Sequence, residues 1–380
     1  MASARSILTF ADAVEKLEAF VCDQIREATA PDQRDVSGYF VPGDDGHERC
    51  YLWQVAAILA GSDFEGAADC VLRFARTQAP DGRLPEWIAP DGSTGGLPEN
   101  RAADSVYLDT PAALVDAAWH VLRHDPDKTA FVEEIIPHLG LALQSIPRAR
   151  RSGLVDVTEE DGFKPTPFSD HTQTRHVATN RNELFPSLLF IRACERLADL
   201  LRSVGSEGES DLWMDVGEQT AKRVRMICWD KNTGLFRAFL APNAPNDVWG
   251  AALAVCTNTA TSGQLMTISR CLGEAFEEIT QCGYVKRRLG GDRTLGLEPG
   301  MDQVHSAFAS GWMAMALDFF DSDLADAFVR DFARTVLDQN APAALAADGT
   351  PENPQDLSAI CHALEGLHLL QNRRDKRQTR

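Results

Sequence analysis

The sequence has no apolar run long enough to cross a membrane, which takes roughly 18 or more residues. Its first twenty residues also lack the uninterrupted apolar centre of a secretory signal peptide, and their apolar spacing is that of an amphipathic helix. Neither a membrane-embedded nor a secreted protein is therefore expected. We predict an intracellular, cytoplasmic protein whose apolar residues, 44% of the chain, are numerous enough to form a large core.

Paired cysteine motifs of the CxxC type are absent, although the chain contains nine cysteines. The nine are scattered and odd in number, and most stand in apolar surroundings with helical spacing. This pattern predicts neither a zinc site nor a disulfide framework, so buried and reduced thiols are expected.

Basic residues are scarce, with 37 Lys and Arg against 56 Asp and Glu, which gives a net charge of −19. Binding to nucleic acid or to an anionic membrane depends on clustered Lys and Arg, so neither partner is expected. The basic stretch at the C-terminus is typical of a frayed end, and we predict a disordered tail at 373–380 after a single domain at 1–372. A small neutral partner such as a sugar suits the charge, and a monomer and a homodimer are both compatible with it.

Several catalytic motifs are also missing from the sequence. It contains no phosphate-binding glycine loop, no dinucleotide-binding fingerprint, no HExxH helix and no serine-elbow motif. These absences argue against nucleotide-dependent, metal-dependent and serine-hydrolase chemistry. We therefore expect no cofactor and no metal.

Apolar residues recur at three- and four-residue spacing throughout the chain, and almost no strand-like alternation is found. The class predicted is all-α, with short hairpin strands possible only at 233–242 and 283–290. Twelve windows are predicted as helices: 9–29, 50–61, 64–79, 104–124, 128–148, 182–204, 210–229, 247–257, 262–280, 303–320, 323–339 and 355–372.

The connections between these windows alternate in length. Those after every second window are short and contain Asp, Ser or Thr, which are good N-caps for the next helix. Six helical hairpins closed into a double ring, an (α/α)6 barrel, have this alternation, with the even helices inside and the long loops on one face. An irregular helical array or an open solenoid is the alternative. The long connections are 30–49, 80–103, 149–181, 230–246, 281–302 and 340–354.

In such a barrel each long loop leads into an inner helix, so polar and aromatic residues there converge on one cavity. Tyr39, Tyr51 and Trp53 near the first inner helix are candidates for stacking on a sugar ring, although ordinary core packing is the alternative for each. Tyr107 and Asp109 end the second loop. Asp109 is a candidate for binding a sugar hydroxyl, or simply the N-cap of the next helix.

The stretch 152–186 is the longest without helical periodicity. Loops longer than about 12 to 15 residues inside a compact domain are usually functional or disordered. Apolar residues such as Leu154, Phe163 and Leu184 argue for an ordered loop over a cavity. Its acidic residues make it the leading place for an acid catalyst, with Asp170 as the first candidate.

Much of the chain resembles the six-hairpin glycosidases, a superfamily that includes glucoamylases, trehalases, mannosylglycerate and glucosylglycerate hydrolases and the glucosidase part of debranching enzymes. The resemblance lies in the sequence pattern of the helical hairpins and in the positions of the loops. It is carried by YLWQVAAILAGSDFEGAADCVLRFARTQAPDGRLPEW (51–87), SVYLDTPAALVDAAWHVLRHDPDKTAFVEEIIPHLGLALQSI (105–146), SGLVDV (152–157), NRNELFPSLLFIRACERLADLL (180–201), DQVHSAFASGWMAMALDFFDSDLADAFVRDFA (302–333) and DGTPENPQDLSAICHALEGL (348–367).

The resemblance implies an inverting glycoside hydrolase acting on a small α-linked glucoside or mannoside. By position in the loops, it implies Asp170 as the general acid and Glu352 as the general base. Inversion needs an acid at the glycosidic oxygen and a carboxylate that activates water, roughly 6.5 to 9.5 Å apart. The alternatives are an N-cap role for Asp170 and a first-turn position near the dipole of the last helix for Glu352.

Further substrate-binding candidates come from the other loops. Two positions depart from the superfamily's pattern: Gln54 follows Trp53 where many relatives have an acid, and Phe168 with Ser169 stands where many have a tryptophan. Both departures weaken the inference of substrate and of hydrolysis. The remaining candidates are His171, Arg181, Asn182, Trp249, Lys286, Gln303 and His305.

Two other functions remain open. An isomerase or epimerase of the same fold would use paired histidines, and a dehydratase would use cavity thiols, for which Cys50 and Cys282 lie on the appropriate side of the ring. A protein of this shape that only binds or assembles is the third possibility. The histidines available to an epimerase are His171, His176, His305 and His362.

Overall fold

The protein is described here from a computed structural model. It covers residues 8–28, 41–42, 48–64, 66–95, 106–107, 109–146, 148–157, 163–164, 181–182, 184–241, 244–290, 304–354 and 357–379. The helices in these ranges are α1 (Phe10–Ala28), α2 (Leu52–Gly61), α3 (Ala67–Arg76), α4 (Thr110–His124), α5 (Thr129–Gln144), α6 (Leu184–Ser203), α7 (Glu207–Ile227), α8 (Val248–Cys256), α9 (Ser262–Glu274), α10 (Phe276–Ile279), α11 (Ser310–Phe320), α12 (Ser322–Asp338) and α13 (Leu357–Gln378).

Six of these helices form a closed inner ring. In order around the ring they are α2, α4, α6, α8, α11 and α13, and α13 packs back against α2. The other long helices pack outside them, so the fold is the all-α (α/α)6 barrel that the alternating connections predicted. The ring order places α6, the third inner helix, opposite α13, the sixth.

The two rings differ in how their helices are buried. All eight residues from Val248 to Val255 of inner helix α8 are buried, whereas outer helix α12 buries one face and exposes the other. A helix that is apolar all round belongs in an interior, and a one-sided helix belongs at a surface. A single apolar cluster runs through both rings. Among the helices of the described ranges, none is long and apolar enough to cross a membrane.

The described residues of the long loops contain seventeen short strands. They are β1 (Val41–Pro42), β2 (Glu48–Tyr51), β3 (Trp87–Ile88), β4 (Thr94–Gly95), β5 (Val106–Tyr107), β6 (Asp156–Val157), β7 (Phe163–Lys164), β8 (Arg181–Asn182), β9 (Trp229–Asp230), β10 (Leu235–Phe236), β11 (Asn246–Asp247), β12 (Thr280–Gln281), β13 (Tyr284–Lys286), β14 (Arg288–Leu289), β15 (His305–Ser306), β16 (Pro342–Leu345) and β17 (Pro351–Pro354).

Pairing between these strands ties each long loop to the next. β2 pairs with β3, β5 with β7, β11 with β14, and β15 with β16. The third and fourth loops are joined where the Leu184 amide donates to the Ala238 carbonyl. Segments that share backbone hydrogen bonds lie side by side, so the long loops gather on one face, at the N-terminal ends of the inner helices.

Two of the short connections have the N-caps predicted for them. Thr261 and Gln264 form a reciprocal capping box at the start of α9. Asp321 accepts hydrogen bonds from the amides of Asp323 and Leu324 at the start of α12. These caps satisfy amides that have no partner inside the helix and so fix where the outer helices begin.

Inner helices α11 and α13 cross at backbone contact distance. A Cβ on Gly311 would lie 2.0 Å from the Ala363 carbonyl oxygen, and one on Gly366 would lie 2.4 Å from the carbonyl carbon of Gly311. Any larger residue at either position would push the two helices apart. This close crossing sets how the C-terminal part of α13 passes the end of α11.

The C-terminal segment differs from the sequence prediction. Residues 373–378, expected to be part of a disordered tail, continue α13 as far as Gln378. Their arginines pair with Asp318 at the end of α11, a carboxylate whose side chain is only 1% exposed. We call Asp318, Arg373, Arg374 and Arg377 the terminal cluster. The contacts to Asp318 measure 3.1 Å from Arg373, 2.7 Å from Arg374 and 3.1 Å from Arg377.

Two inner helices also begin later than predicted. The windows 104–124 and 303–320 begin as strands β5 and β15, and helices α4 and α11 start at Thr110 and Ser310. All nine cysteines are unpaired in the structure, and five of them are buried.

Candidate functional site

The cavity inside the inner ring is lined by four of its helices, α2, α4, α6 and α13. Its volume is about 20 Å³, room for roughly one water molecule. Alanines from α2 and α4 line part of this cavity, and polar side chains form most of the remaining lining. The lining residues are Trp53, Ala56, Ala57, Ala60, Asp109, Ala112, Ala113, Asp116, His120, Leu189, Arg192, Arg196, His362 and Glu365.

Four charged residues form the floor of this cavity, and we call Asp116, Arg192, Arg196 and Glu365 the axial cluster. Asp116 accepts a hydrogen bond from Arg192 at 2.5 Å, and its other oxygen forms an ion pair with Arg196 at 2.9 Å. Glu365 accepts a short hydrogen bond from Arg196 and lies 3.7 Å from Arg192. Because α6 and α13 are opposed in the ring, these contacts span the barrel axis.

The axial cluster holds its charges in the interior. Burial alone would raise the pKa of Glu365, but the nearby guanidinium groups of Arg196 and Arg192 together outweigh burial and hold that pKa well below its ordinary value. Burial likewise acts against the charged form of Arg196, yet Asp116 and Glu365 raise its pKa. Two cations and two anions therefore balance one another in the fold.

Two histidines border the axial cluster in their neutral form. Burial lowers the pKa of His362 to about 3, and the nearby Arg192 charge acts in the same direction. Burial also holds the pKa of His120 well below its ordinary value, although Glu365 opposes the shift. The imidazole of His362 stacks on Phe308 at 3.8 Å between ring centroids, and its Nδ1–H donates to the Phe308 carbonyl at 3.1 Å. Its Nε2 therefore carries the lone pair.

A second cavity of about 150 Å³ lies on the far side of the axial cluster, towards the C-terminal ends of the inner helices. Arg192, Arg196 and Glu365 line both cavities, so the cluster divides the barrel axis into two compartments. Glu195 lines the lower one, where burial raises its pKa to about 7. Its other lining residues are Trp119, Asp199, Leu253, Cys256, Thr257, Trp312 and Leu369.

We call the first cavity, of about 20 Å³, the upper cavity, and Trp53 and Asp109 line it. Tyr51 lies beside Trp53, with 6.5 Å between the ring centroids. Asp109 is 2% exposed and immediately precedes α4, but its side chain does not cap that helix. The capping alternative therefore does not explain this residue. Gln54 is half-buried in the first turn of α2.

Trp249 lies in the first turn of inner helix α8 and is packed in the barrel interior. Its indole Nε1–H donates to the Val285 carbonyl at 3.1 Å, and its ring contacts those of Phe185 and Phe308. The guanidinium of Arg287 lies over both the Phe185 ring, at 4.3 Å, and the Trp249 ring, at 4.9 Å. Trp249 thus forms part of an aromatic wall below the loop face.

Glu352 lies on β17, at the edge of the five-stranded sheet that precedes α13, and is half-buried. It pairs with Ala344, which pairs with Ser306 on the next strand. Directly paired residues share a face of a sheet, so Glu352 and Ser306 lie on one face. His305 pairs with both Lys286 and Leu345, and these three lie on the other face.

Several predicted site residues lie outside the described residues or lack a described side chain. Tyr39, Asp170, His171 and Gln303 fall outside, as does His176 among the epimerase candidates. Tyr107, Arg181 and Asn182 are described in their backbone only. Of the strands that contain these residues, β5 pairs with β7 and precedes α4, and β8 precedes α6.

The two cysteines considered for a dehydratase do not line the described cavity. Cys50 is 2% exposed and Cys282 is exposed at a turn. In the parts of the chain that the structure describes, no group of His, Cys, Asp and Glu is arranged to hold a metal ion.

The axial cluster was missed by the sequence analysis. Its signal is a charged residue inside a mostly apolar window, Asp116 in AALVDAAW and Glu365 in AICHALEGL; Arg192 and Arg196 stand one turn apart on α6. Such isolated charges in an all-apolar helix predict a buried ionic contact. The partners are 76 and 169 residues apart in sequence, so the pairing itself is not predictable from one chain.

Solved structures that are similar in fold share the (α/α)6 barrel. A mannosylglycerate hydrolase from Thermus thermophilus, in complex with glucose, is 17% identical, with a TM-score of 0.65 over 94% of this chain and 100% of that chain. A rhamnosidase from Klebsiella oxytoca with rhamnose bound is 14% identical, with a TM-score of 0.64 over 99% and 66%. A cellobiose 2-epimerase from Spirochaeta thermophila is 13% identical, with a TM-score of 0.60 over 94% and 98%.

No protein-family model matches the sequence, and no curated protein is detectably similar to it. At this level of identity the solved structures establish the (α/α)6 barrel fold of this chain.

Proposed function

We propose that this (α/α)6 barrel is an inverting glycoside hydrolase for a small α-linked glucoside or mannoside, with Asp170 as general acid and Glu352 as general base. The observation that supports the proposal is that α6 and α13 face each other across the ring. In the sequence Asp170 precedes α6, and Glu352 on β17 precedes α13.

This placement suits inversion for a geometric reason. The acid and the base must stand on opposite sides of the sugar, roughly 6.5 to 9.5 Å apart, with a water between the base and the anomeric carbon. Two carboxylates on one helix or one strand cannot straddle a sugar in this way. Loops that enter the rim from opposite sides can do so.

The residues that line the upper cavity are compatible with binding of a sugar. Trp53 offers an aromatic face, and Asp109 places a buried carboxylate beside it at the head of α4. Pockets that bind sugars combine an aromatic face with a few fixed polar groups. The mannosylglycerate hydrolase and the rhamnosidase, which share this fold, also act on sugar substrates by their names.

The test is release of reducing sugar from a panel of α-linked disaccharides and glycosylglycerates. Asp170→Asn and Glu352→Gln are each expected to lower kcat by more than about 100-fold, as removal of a general acid or base does. Asp348→Asn is the matched control, because Asp348 is an exposed carboxylate in the turn four residues before Glu352. Unchanged activity in Glu352→Gln would overturn the role of the base.

Two further readouts test the stereochemistry and the role of Glu352. Proton NMR of the first product should show a β-configured sugar from an α-linked substrate. Azide should restore turnover in Glu352→Gln with a β-glycosyl azide as product, since a small anion replaces the water that the base activates. An α-configured first product would rule out inversion.

A sugar epimerase is the second candidate, and one observation favours it. His362 lines the upper cavity as a neutral imidazole with the lone pair on Nε2, the atom that could accept a proton. The cellobiose 2-epimerase of the same fold acts, by its name, at carbon 2. Incubation with glucose or cellobiose in D2O separates the two functions. An epimerase exchanges the C2 proton for deuterium, and His362→Asn abolishes the exchange, whereas a hydrolase gives none.

A further inference from the structure

Two buried cysteines lie in contact in the first hairpin. The Sγ atoms of Cys50 and Cys70 are 3.6 Å apart, and the two residues are 2% and 3% exposed. Cys50 lies on strand β2, where it pairs with Ile88, and Cys70 lies on outer helix α3. The two sulfurs therefore belong to different elements that are each held by their own backbone hydrogen bonds.

We propose that Cys50 and Cys70 are a redox-active dithiol, which hydrogen peroxide converts to a disulfide within the folded protein. A disulfide has an S–S distance of about 2.03–2.05 Å, so the sulfurs must approach by roughly 1.5 Å. Side-chain rotation about χ1 moves a sulfur over such a distance without requiring a change of fold. This inference does not depend on the proposed function.

The reaction balances with one peroxide as the two-electron oxidant. The thiolate of one cysteine attacks a peroxide oxygen, the O–O bond breaks, and the leaving hydroxide takes a proton to give water and a sulfenic acid. The second thiol then attacks the sulfenic sulfur as its thiolate, the S–O bond breaks, and a second water leaves. Both sulfurs are oxidised, and hydrogen peroxide is reduced to two molecules of water.

The bond would close a loop that contains a whole inner helix. Residues 51–69 lie between the two cysteines and include all of α2, from which Trp53 lines the upper cavity. Cys50 is followed directly by Tyr51, the residue before α2. The disulfide would tie the strand that leads into the inner helix to the outer helix of the same hairpin.

Peptide mapping tests the proposal without relying on a variant. Arg49 and Arg73 bound a tryptic peptide, 50–73, that contains Cys50 and Cys70 and no other cysteine. The folded protein is treated with hydrogen peroxide, then unfolded in N-ethylmaleimide and digested without reductant. The expected result is peptide 50–73 without alkylation and lighter by two hydrogen atoms. Cleavage after Glu65 should leave its two halves linked.

The opposite result is peptide 50–73 with both thiols alkylated at a peroxide dose that oxidises the exposed Cys282. That result, or independent oxidation of one sulfur to a sulfinic acid, would overturn the proposal. Cys70→Ser should abolish the loss of two hydrogens, and Cys194→Ser, which removes an equally buried thiol from α6, should retain it.

Discussion

The barrel contains two clusters of arginine and carboxylate that differ in their access to water. In the axial cluster, all four side chains are 12% exposed or less, and the contacts join α6 to its neighbour α4 and to the opposed helix α13. In the terminal cluster, Asp318 is as buried as any of them, but its arginine partners range from 15% to 54% exposed. The same chemistry therefore occurs in two dielectric environments within one molecule.

The difference shows what each cluster can contribute. An exposed ion pair competes with water and salt and stabilises a protein by about 0–1 kcal/mol. A buried pair gains little over apolar residues that fit the same space, but breaking it leaves a charge that water cannot reach. Loss of one charge in the axial cluster therefore leaves an unpaired charge at the barrel axis. The terminal cluster instead holds the C-terminal end of α13 against the end of α11.

Glu365→Ala is expected to have the largest effect on stability. It removes the carboxylate that pairs with Arg196 and Arg192 and leaves two guanidinium groups in the interior with Asp116 alone. The free energy of unfolding should fall by about 3–5 kcal/mol, measured by urea denaturation. The matched control is Glu218→Ala, which removes a half-exposed partner of Arg225. Equal losses in the two variants would contradict the comparison.

The next effect is the response of the axial region to pH. His362 has an ordinary pKa of 6.5 when unfolded and a pKa of about 3 in the fold. Between these values the unfolded chain binds the proton and the folded protein does not, so the free energy of unfolding falls as pH decreases from 6.5 towards 3. The total change is on the order of a few kcal/mol.

The test of this effect is a series of urea midpoints between pH 6.5 and 5, above the ordinary range of the carboxylates. His362→Phe retains the ring stacked on Phe308 and should make the decline shallower, with the remainder coming from His120, whose pKa is also lowered by burial. His368→Phe changes a histidine on the same helix, where it contacts Glu18 at the surface, and should retain the decline. A slope in His362→Phe as steep as that of the parent would count against a neutral buried imidazole.

The barrel fold could be predicted from patterns that are local in sequence. Apolar spacing located each hairpin, and the alternation of short and long connections separated the inner from the outer helices. The boundaries were wrong where a long loop adds a strand before an inner helix, as at β5 and β15. Backbone pairing between loops decides these starts, and such pairing has no periodic signal in a single chain.

The charged clusters were less accessible to sequence analysis. Arg373, Arg374 and Arg377 were taken as part of a disordered tail because their composition is typical of one. Their partner Asp318 stands more than fifty residues earlier, and only the close crossing of Gly311 and Gly366 brings the helices together. The roles of Asp170 and Glu352 depend on loop conformation, and they stay predictions for the assays above.

Asp318→Ala should have a smaller effect than Glu365→Ala, although the two carboxylates are similarly buried. The arginines that lose Asp318 can turn towards water, so their charges are not trapped in the interior. We expect a loss of about 1–3 kcal/mol in the free energy of unfolding, with faster amide hydrogen exchange in residues 371–378. Asp331→Ala, which removes an exposed partner of Arg334, is the control and should change neither quantity by more than about 0.5 kcal/mol.

Arg377→Ala should have the smallest effect, and it separates burial from charge within a single cluster. Arg377 and Arg374 both contact Asp318, but Arg377 is 54% exposed and Arg374 is 19% exposed and also bonded to Asp326. The loss for Arg377→Ala should be about 0.2–1 kcal/mol and should vanish in about 1 M salt, whereas Arg374→Ala should cost more and retain most of its effect. Because both arginines share the same carboxylate, equal losses with equal salt dependence would mean that exposure does not set the strength of these contacts.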